Sequence, residues 1–287
     1  MIRIAAFSDE ATSDFVGQLR ALKRNGLSLM EIRSVNGKNI RLVTEEEAAE
    51  LAALLKKEGI RVWAIGSPIG KMKLKSDGDF EEHKRCLRHL CRLGGILGTT
   101  RLRVFSFYEA EDARETVLGY LKEMVEIAAE YGCTLYHENE KQIYGDVAER
   151  VIDVLDNTPG LRSVYDPANY VEVGQDVTEA MDRLHERTDY FHVKDALWDT
   201  KEIVPAGYGD GRIGEMIARI APDRDLTLTV EPHLTVFEGY RDIDPTEMKN
   251  KYSYPDSDTA FDAAVSALKE VLRSEGWEEI EGGFVKK

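Results

Sequence analysis

Residues 134–166, TLYHENEKQIYGDVAERVIDVLDNTPGLRSVYD, contain one repeat of the pattern that decides the fold. A short β-prone run, Thr134–Glu138, precedes an amphipathic helical stretch, and a second β-prone run, Arg162–Asp166, follows it. This order predicts a βαβ unit with parallel strands, because parallel neighbours need a crossover connection of helix length. Each run ends in a carboxylate, Glu138 in the first and Asp166 in the second.

The same alternation of β-prone runs and helical stretches continues through all 287 residues, about eight times in total. Helix starts are visible as well. Thr44, with Glu47 three residues later, has the capping-box pattern that opens a helix. The predicted strands are Ile2–Phe7, Leu27–Ile32, Arg61–Ile65, Arg101–Phe105, Thr134–Glu138, Arg162–Asp166, Tyr190–Val193 and Leu226–Glu231.

Eight strand–helix units predict an α/β fold, a single (β/α)8 TIM barrel that spans residues 1–287 as one domain. An open doubly wound sheet fits less well, because such sheets commonly have about five or six strands. SDEAT follows the first strand in place of G-x-G-x-x-G, which argues against a dinucleotide site. The connection between strand 8 and helix 8, at about 233–256, is unusually long. We expect it to cover the site, and a plain surface excursion is the alternative.

The composition restricts the partners. Lys and Arg total 38 against 53 Asp and Glu, and the formal charge of −15 disfavours nucleic acid, because it repels phosphates. A small sugar or sugar phosphate is still compatible, since a bound metal reverses the local field. The apolar runs are far shorter than the roughly 18 residues of a membrane span, and the N-terminus lacks a signal-peptide pattern. We therefore expect a cytoplasmic protein without a membrane partner. Its oligomeric state stays open, with a homo-oligomer among the alternatives.

Four consecutive strands end in a residue that can bind a cation: Glu138, Asp166, His192 and Glu231, separated by 28, 26 and 39 residues. These gaps correspond to one βα unit, one unit, and one unit with a longer connection. All four are therefore expected at the same height, on the face where barrel enzymes have their active sites. Each residue alone has an ordinary structural explanation, such as Asp before Pro as a turn starter.

Together the four predict a metal site, because three converging carboxylates repel each other unless a cation joins them. One imidazole among three carboxylates suits Mn²⁺, Mg²⁺, Co²⁺ or Zn²⁺, and the oxygen-rich set favours manganese, followed by magnesium.

Residues beside this set are further candidates. Lys194 returns to the inner side two positions after His192, where it can hold a substrate oxygen or phosphate, or balance the carboxylates. His233 can reach the mouth in the same way, whereas His137 should point outward and pack. The glycine-rich segment 205–211, PAGYGDG, which contains Tyr208, either approaches a ligand or makes tight turns. Weaker mouth candidates are Asp9, Glu10, Glu31, Arg33, Ser67 and Lys71.

The segments HENE, YDPANY, FHVKDA, VPAGYGDG and VEPHL, in that order, resemble the sugar isomerase/epimerase superfamily of xylose-isomerase-like TIM barrels. The resemblance covers essentially the whole chain. HENEKQIYGD, HVKDA and VPAGYGDG are similar to the bacterial branch loosely named sugar phosphate isomerases or epimerases. The motif set is specific for the superfamily and does not identify one substrate.

The resemblance implies that Glu138, Asp166, His192 and Glu231 bind one metal ion. It also implies that Glu138 and Glu231 act as the acid/base pair of an isomerase or epimerase in carbohydrate metabolism. Such an enzyme removes a proton next to the carbonyl of a sugar or sugar derivative, and the metal stabilises the enediolate.

The chain also departs from the ketose 3-epimerases of this superfamily. Asn169 stands in place of a substrate-binding His, Trp198 in place of an Arg and Tyr144 in place of a second Glu. These departures put a free ketose in doubt as the substrate. The residues that we expect to bind substrate are Lys194, His233, Asn169 and Tyr208.

Other functions remain alternatives to the isomerase. The same metal and bases can eliminate water, as a dehydratase or lyase acting on an inositol or oxidised sugar would. The DNA-repair endonucleases of the superfamily cleave phosphodiesters with three metal ions and several more His ligands. This chain has only six His, and His83, His89 and His185 are predicted on helices, so such a cluster is not expected. A binding protein without turnover is the remaining alternative.

Overall fold

Eight parallel strands form the centre of the molecule. The computed structural model describes residues 1–75, 79–219, 224–237 and 248–286. Every barrel strand lies where the sequence predicted it, with ends that differ by at most two residues. The strands are β1 (Ile2–Ala6), β2 (Leu29–Ile32), β3 (Arg61–Gly66), β4 (Arg101–Val104), β5 (Thr134–Glu138), β6 (Arg162–Tyr165), β7 (Tyr190–Val193) and β8 (Leu226–Val230).

Strand pairing curls the sheet into a barrel, with one seam between β1 and β2 that no ladder of the described residues bridges. Parallel ladders join β2 to β3 and continue in chain order through to β8. β8 then pairs in parallel with β1, for example Ala6 with Val230. β1 also contacts β2 along the remaining seam. The predicted TIM barrel is thus confirmed, and its strands all end at one mouth.

Helices surround the barrel and bury their apolar faces against it. The capping box predicted at Thr44 is present, since the Thr44 side chain accepts from the Glu47 N–H and the Glu47 carboxylate accepts from the Thr44 N–H.

Among the described residues, no helix is long and apolar enough to cross a membrane. The helices are α1 (Phe15–Arg24), α2 (Glu45–Glu58), α3 (Phe80–Leu97), α4 (Arg114–Glu130), α5 (Ala148–Asn157), α6 (Pro167–Val173), α7 (Val177–Leu184), α8 (Ile213–Arg219) and α9 (Ser257–Ser274).

The long connection predicted at 233–256 runs from the end of β8 to Asp256, which caps α9. Residues 238–247 of this segment lie outside the described residues, so its role as a cover for the site stays a prediction. After α9 the chain adds a hairpin that was not predicted from the sequence, Trp277–Ile280 with Gly283–Lys286. Its second strand pairs with the first residue of β1, at the end of the barrel opposite the mouth.

The barrel interior has an aromatic lower layer. The Tyr190 ring makes edge contacts with Trp63 and Tyr136, at centroid distances of 5.8 and 5.4 Å. Because side chains alternate along a strand, the inward residues two positions further are His192 above Tyr190 and Glu138 above Tyr136. The apolar layer therefore supports the charged side chains at the mouth from below.

The glycine-rich segment 205–211 folds around a side chain of its own chain. The buried carboxylate of Asp195 accepts hydrogen bonds from the N–H groups of Gly207, Gly209 and Gly211, at 2.9, 3.0 and 2.8 Å. A Cβ atom on Gly209 would lie 2.4 Å from Asp195 Oδ1, so the close approach requires glycine. The glycines make backbone turns that bind Asp195, which fixes the connection after β7 beside the mouth.

We predict that Asp195→Ala lowers the free energy of unfolding by about 3 kcal/mol or more, because it leaves buried backbone N–H groups without an acceptor. Asp195→Asn keeps one carbonyl oxygen and should lose less. Urea unfolding followed by circular dichroism measures both. Asp199→Ala removes an exposed carboxylate from the same connection and is the matched control, with an expected change within about 0.5 kcal/mol. Equal stability of Asp195→Ala and this control would contradict the role assigned to Asp195.

Candidate metal centre

The structure brings the four predicted ligands together at the mouth. Glu138 ends β5, Asp166 directly follows β6, His192 lies in β7 and Glu231 directly follows β8. One ligand atom of each lies within 4.8 Å of the others, and all four side chains are buried. Parallel register places them at equal height, because each strand contributes its carboxyl-terminal end to the same rim.

The imidazole of His192 is held from both sides. Its Nδ1 lies 2.8 Å from Glu138 Oε1 and 3.8 Å from Glu231 Oε2, inside the ligand set. Its Nε2 lies 3.1 Å from Oε2 of Glu31, on β2 across the barrel. The other oxygen of Glu31 accepts from the Tyr190 hydroxyl at 3.3 Å. Glu31 thus orients the ring so that Nδ1 faces the other ligands, as carboxylate partners commonly do for metal-binding histidines.

Each glutamate of the set also contacts an arginine. Arg103, on β4, places Nη1 2.7 Å from Glu138 Oε2. Arg33, just after β2, places Nη1 3.2 Å from Glu231 Oε1. Arg103 was not among the candidates predicted from the sequence. Its signal is the RLRV alternation of β4, which puts Arg103 on the same face as Arg101.

Lys194 lies on the inner side, as predicted. Its buried Nζ is 3.0 Å from Asp166 Oδ2 and 3.3 Å from Glu231 Oε2. The sequence left two roles open for Lys194, substrate contact and charge balance of the carboxylates. These two ion pairs correspond to charge balance. A contact with substrate stays a prediction.

His233 is held by Glu10, which follows β1. Its Nδ1 lies 3.0 Å from Glu10 Oε1, and its backbone N–H donates to Glu10 Oε2 at 2.6 Å. The same Nδ1 is 3.7 Å from Glu231 Oε1. His233 has φ of +45°, a left-handed backbone conformation that costs free energy for a residue with a side chain. The contacts of its ring with Glu10 and Glu231 place His233 at the mouth, as the sequence predicted.

Asn169 contributes to the backbone geometry of Asp166. Its N–H donates to Asp166 Oδ1 at 3.1 Å, and its amide donates to the Asn139 carbonyl at 2.8 Å. Asn139 in turn exchanges two hydrogen bonds of 2.9 Å with the backbone of Asp166. The buried Oδ1 of Asn169 accepts no hydrogen bond from any described residue. This atom keeps Asn169 a candidate for substrate contact.

Three other residues considered from the sequence, Tyr208, His137 and Lys71, lie apart from the ligand set. Tyr208 is 59% exposed, and its ring faces Tyr252 at a centroid distance of 6.5 Å. His137 points outward, as predicted, with Nε2 2.9 Å from the Ser106 hydroxyl. Lys71 pairs with Glu140 at 3.2 Å.

The mouth carries an excess of buried negative charge. Counting Asp, Glu, Arg and Lys as ionised, its six buried carboxylates face three buried cations, an excess of three negative charges. Burial acts to lower the pKa of His192, but the adjacent Glu138 and Glu31 outweigh burial and raise it, so a protonated His192 offsets one of the three. The carboxylates are Asp9, Glu10, Glu31, Glu138, Asp166 and Glu231, and the cations are Arg33, Arg103 and Lys194.

The side-chain pKa values reflect this crowding. Burial raises the pKa of Asp166 to about 7, although Lys194 opposes the shift. Burial also acts to raise the pKa of Glu138, but the charges of His192 and Arg103 outweigh it and bring the pKa to about 2. Two carboxylates of one pocket therefore differ in proton affinity, because the neighbouring cations outweigh burial at Glu138 but not at Asp166. A divalent ion at the ligand set would relieve most of the excess negative charge.

Several solved structures have the same fold. L-ribulose 3-epimerase is 17% identical, with 96% of each chain covered and a TM-score of 0.72. The IOLI protein with a zinc atom is 14% identical, with 95% of this chain and 99% of that chain covered and a TM-score of 0.72. The probable 3-DHS dehydratase AsbF from Bacillus anthracis is 15% identical, with 94% and 99% covered and a TM-score of 0.69.

These identities show the fold alone. Comparison with curated protein sequences gives no match. A sequence model of one family matches residues 19–244, which is most of the chain. The chain belongs to this family, the xylose isomerase-like TIM barrels.

Proposed function

We propose that the protein is a divalent-metal-dependent isomerase or epimerase of a sugar or sugar derivative, which removes a proton next to a carbonyl. Its family and its structural neighbours, which include L-ribulose and D-allulose 3-epimerases, support an enzyme that modifies sugars. The observation that carries the metal-dependent reaction is the buried ligand set, with four donor atoms within 4.8 Å of one another.

The donor set fits a divalent cation. Three carboxylates and one imidazole suit Mn²⁺ best, and also Mg²⁺, Co²⁺ or Zn²⁺. The orientation of the His192 ring supports this fit, because Glu31 holds Nε2 and leaves Nδ1 among the carboxylates. The excess of buried negative charge supports it as well, since uncompensated buried charges are costly.

Glu138 and Glu231 would exchange the proton. β5 and β8 are three strands apart around the barrel, so the two carboxylates approach a substrate from different sides. Burial acts to raise the pKa of both carboxylates, but His192 and Arg103 lower that of Glu138, and Lys194 with other nearby cations lowers that of Glu231, so both stay ionised. Arg103 and Arg33 each contact one oxygen of these carboxylates, which leaves the second oxygen toward the centre. A bound divalent ion would polarise the substrate carbonyl and stabilise an enediolate.

Four further side chains would bind substrate. Lys194 lies between Asp166 and Glu231, so a substrate oxygen that enters the centre meets its ammonium group. Asn169 offers its buried Oδ1 to a substrate hydroxyl. His233 would contact substrate from the β8 side, and Tyr208 from the exposed rim.

Dehydration is the second candidate reaction. The structural likeness to a probable 3-DHS dehydratase favours it, because the same bases can eliminate a β-hydroxyl after proton removal. The histidines do not favour phosphodiester cleavage with a three-metal cluster. His83, His89 and His185 bond to backbone atoms of Gly70, Val43 and Met181, and none of the three belongs to a metal-ligand group found among the described residues.

We predict that the purified protein binds about one divalent ion per chain, and that the double variant Asp166→Ala/His192→Ala loses it, because two of four ligands are gone. Elemental analysis after gel filtration measures the content. Glu140→Gln is the matched control, since Glu140 is buried nearby but pairs with Lys71 outside the ligand set. Full occupancy in a folded double variant would exclude this site.

We predict that Glu31→Gln weakens Mn²⁺ binding about 10- to 100-fold, because the ring of His192 loses its charged partner. Isothermal titration of the metal-free protein with Mn²⁺ measures the affinity. Tyr190→Phe removes the other partner of Glu31 and leaves the contact with His192, so it should change affinity less than about threefold. Equal losses in both variants would argue against an orienting role of Glu31.

We predict that Glu138→Gln and Glu231→Gln each reduce turnover about 10²- to 10⁴-fold, since each removes one partner in proton transfer. Ketoses, ketose phosphates and oxidised sugars are incubated in D2O with Mn²⁺, and NMR follows deuterium next to the carbonyl. A dehydratase would instead give a product without the β-hydroxyl. Turnover of a confirmed substrate without deuterium uptake, and unchanged in both variants, would rule out the two-glutamate reaction.

A further inference from the structure

Arg33 has an unusual environment for a guanidinium group. It is only 2% exposed, and its nitrogens contact Asp9 at 2.9 Å, Glu10 at 2.9 Å and Glu231 at 3.2 Å. Its plane also lies near the rings of Phe7 and Phe237, with Cζ at 4.3 and 5.1 Å from their centroids. Charged and aromatic contacts therefore fix a positive charge at this point, on one side of the proposed metal centre.

The same point is surrounded by a second group of possible metal ligands. Glu10, Glu231 and His233 are buried, and one donor atom of each lies within 4.8 Å of the others. Two carboxylates and an imidazole are a donor set that a divalent cation accepts. Glu231 belongs to both groups, so the two groups share one carboxylate.

The two oxygens of Glu231 face different groups. Oε2 lies 3.3 Å from Lys194 and 3.8 Å from His192, on the side of the proposed centre. Oε1 lies 3.2 Å from Arg33 and 3.7 Å from His233, on the side of the second group. A carboxylate in this position can bridge two cations, and the observed cation on the Oε1 side is the guanidinium.

A second divalent ion would compete with Arg33 for the same oxygens. Arg33 bonds Glu10 Oε1 and Glu231 Oε1, which are two of the donors that such an ion needs. The guanidinium cannot lose its charge in a protein, so a nearby dication would meet full repulsion. The Oε1 side of Glu231 therefore carries a permanent positive charge, because the guanidinium is part of the chain and does not dissociate.

We propose that Arg33 is the permanent second cation of the centre and keeps the group of Glu10, Glu231 and His233 from binding a second divalent ion. This inference rests on the proposed metal centre at Glu138, Asp166, His192 and Glu231. With Arg33 in this position, that centre binds a single divalent ion. Arg33 also fixes Glu231 in advance, because it holds Oε1 and turns Oε2 toward the incoming ion.

The test is the number of Mn²⁺ ions that the metal-free full chain binds, measured by equilibrium dialysis. Wild type should bind about one ion, and Arg33→Met about two, because the neutral side chain releases Glu10 and Glu231. Electron paramagnetic resonance supplies a second readout, since two Mn²⁺ ions that share the Glu231 carboxylate couple magnetically and lose the isolated-ion spectrum. If Arg33→Met does not fold, the double variant Arg33→Met/Asp9→Asn replaces it in both measurements, because it removes one charge of each sign. It should also bind about two ions.

Two controls separate this effect from a general loss of positive charge. Arg33→Lys keeps the charge and should stay at about one ion. Arg103→Met removes the equally buried arginine that pairs with Glu138. Among the described residues, no second group of possible metal ligands surrounds Arg103. This variant should also stay at about one ion.

The outcomes are distinguishable. Two ions bound to wild type, or one ion bound to every folded Arg33 variant, would overturn the inference and leave the proposed function intact. No ion bound to wild type would overturn both. One ion in wild type and two coupled ions in Arg33→Met would support it.

Discussion

The closure of eight parallel strands brings six buried carboxylates to one rim, and most of the local structure balances their charge. Isolated charges in a low-dielectric interior repel strongly and lose their hydration. Arg33, Arg103 and Lys194 offset half of that charge, and each contacts one or more ligands of the proposed centre. None of these three cations lies between His192 Nδ1 and the carboxylates of the ligand set. A divalent ion bound there would balance part of the remaining negative charge.

Rigidity of the centre comes from both ends of the barrel. Below it, the ring of Tyr190 packs against the rings of Trp63 and Tyr136 in the interior. Above it, Asp195 binds the glycine segment that leads out of the mouth. Side chains between a packed layer and a fixed connection have few alternative rotamers. Their donor atoms are therefore set before a ligand arrives, which is a requirement for tight binding and for catalysis by positioning.

The sequence predicted the barrel, its strand positions and the convergence of the four ligands, because each depends on local patterns. Strand ends follow from β-prone runs, and equal height follows from spacing along a parallel barrel. The contacts of Glu31 with His192 and of Arg33 with Glu231 were not predicted, although both residues were candidates. They join strands that are not neighbours, and such pairs depend on the tilt and stagger of the closed barrel, which no local pattern encodes. The terminal hairpin was missed because its charged EEIEGG segment lacks an apolar alternation.

The arginines also bear on the kind of catalysis that the centre can support. A carboxylate whose pKa is lowered by the charges of His192 and Arg103 despite its burial, as for Glu138, is a weaker base toward a proton on carbon. In the proposed reaction, the acidity must therefore be created on the substrate, through contacts of its oxygens with the bound cation and with Lys194. The glutamates then contribute position more than base strength, since Arg103 and Arg33 fix one oxygen of each and limit rotation. A site built this way selects substrates whose carbonyl and neighbouring hydroxyl reach the centre together, because only these become acidic enough to react.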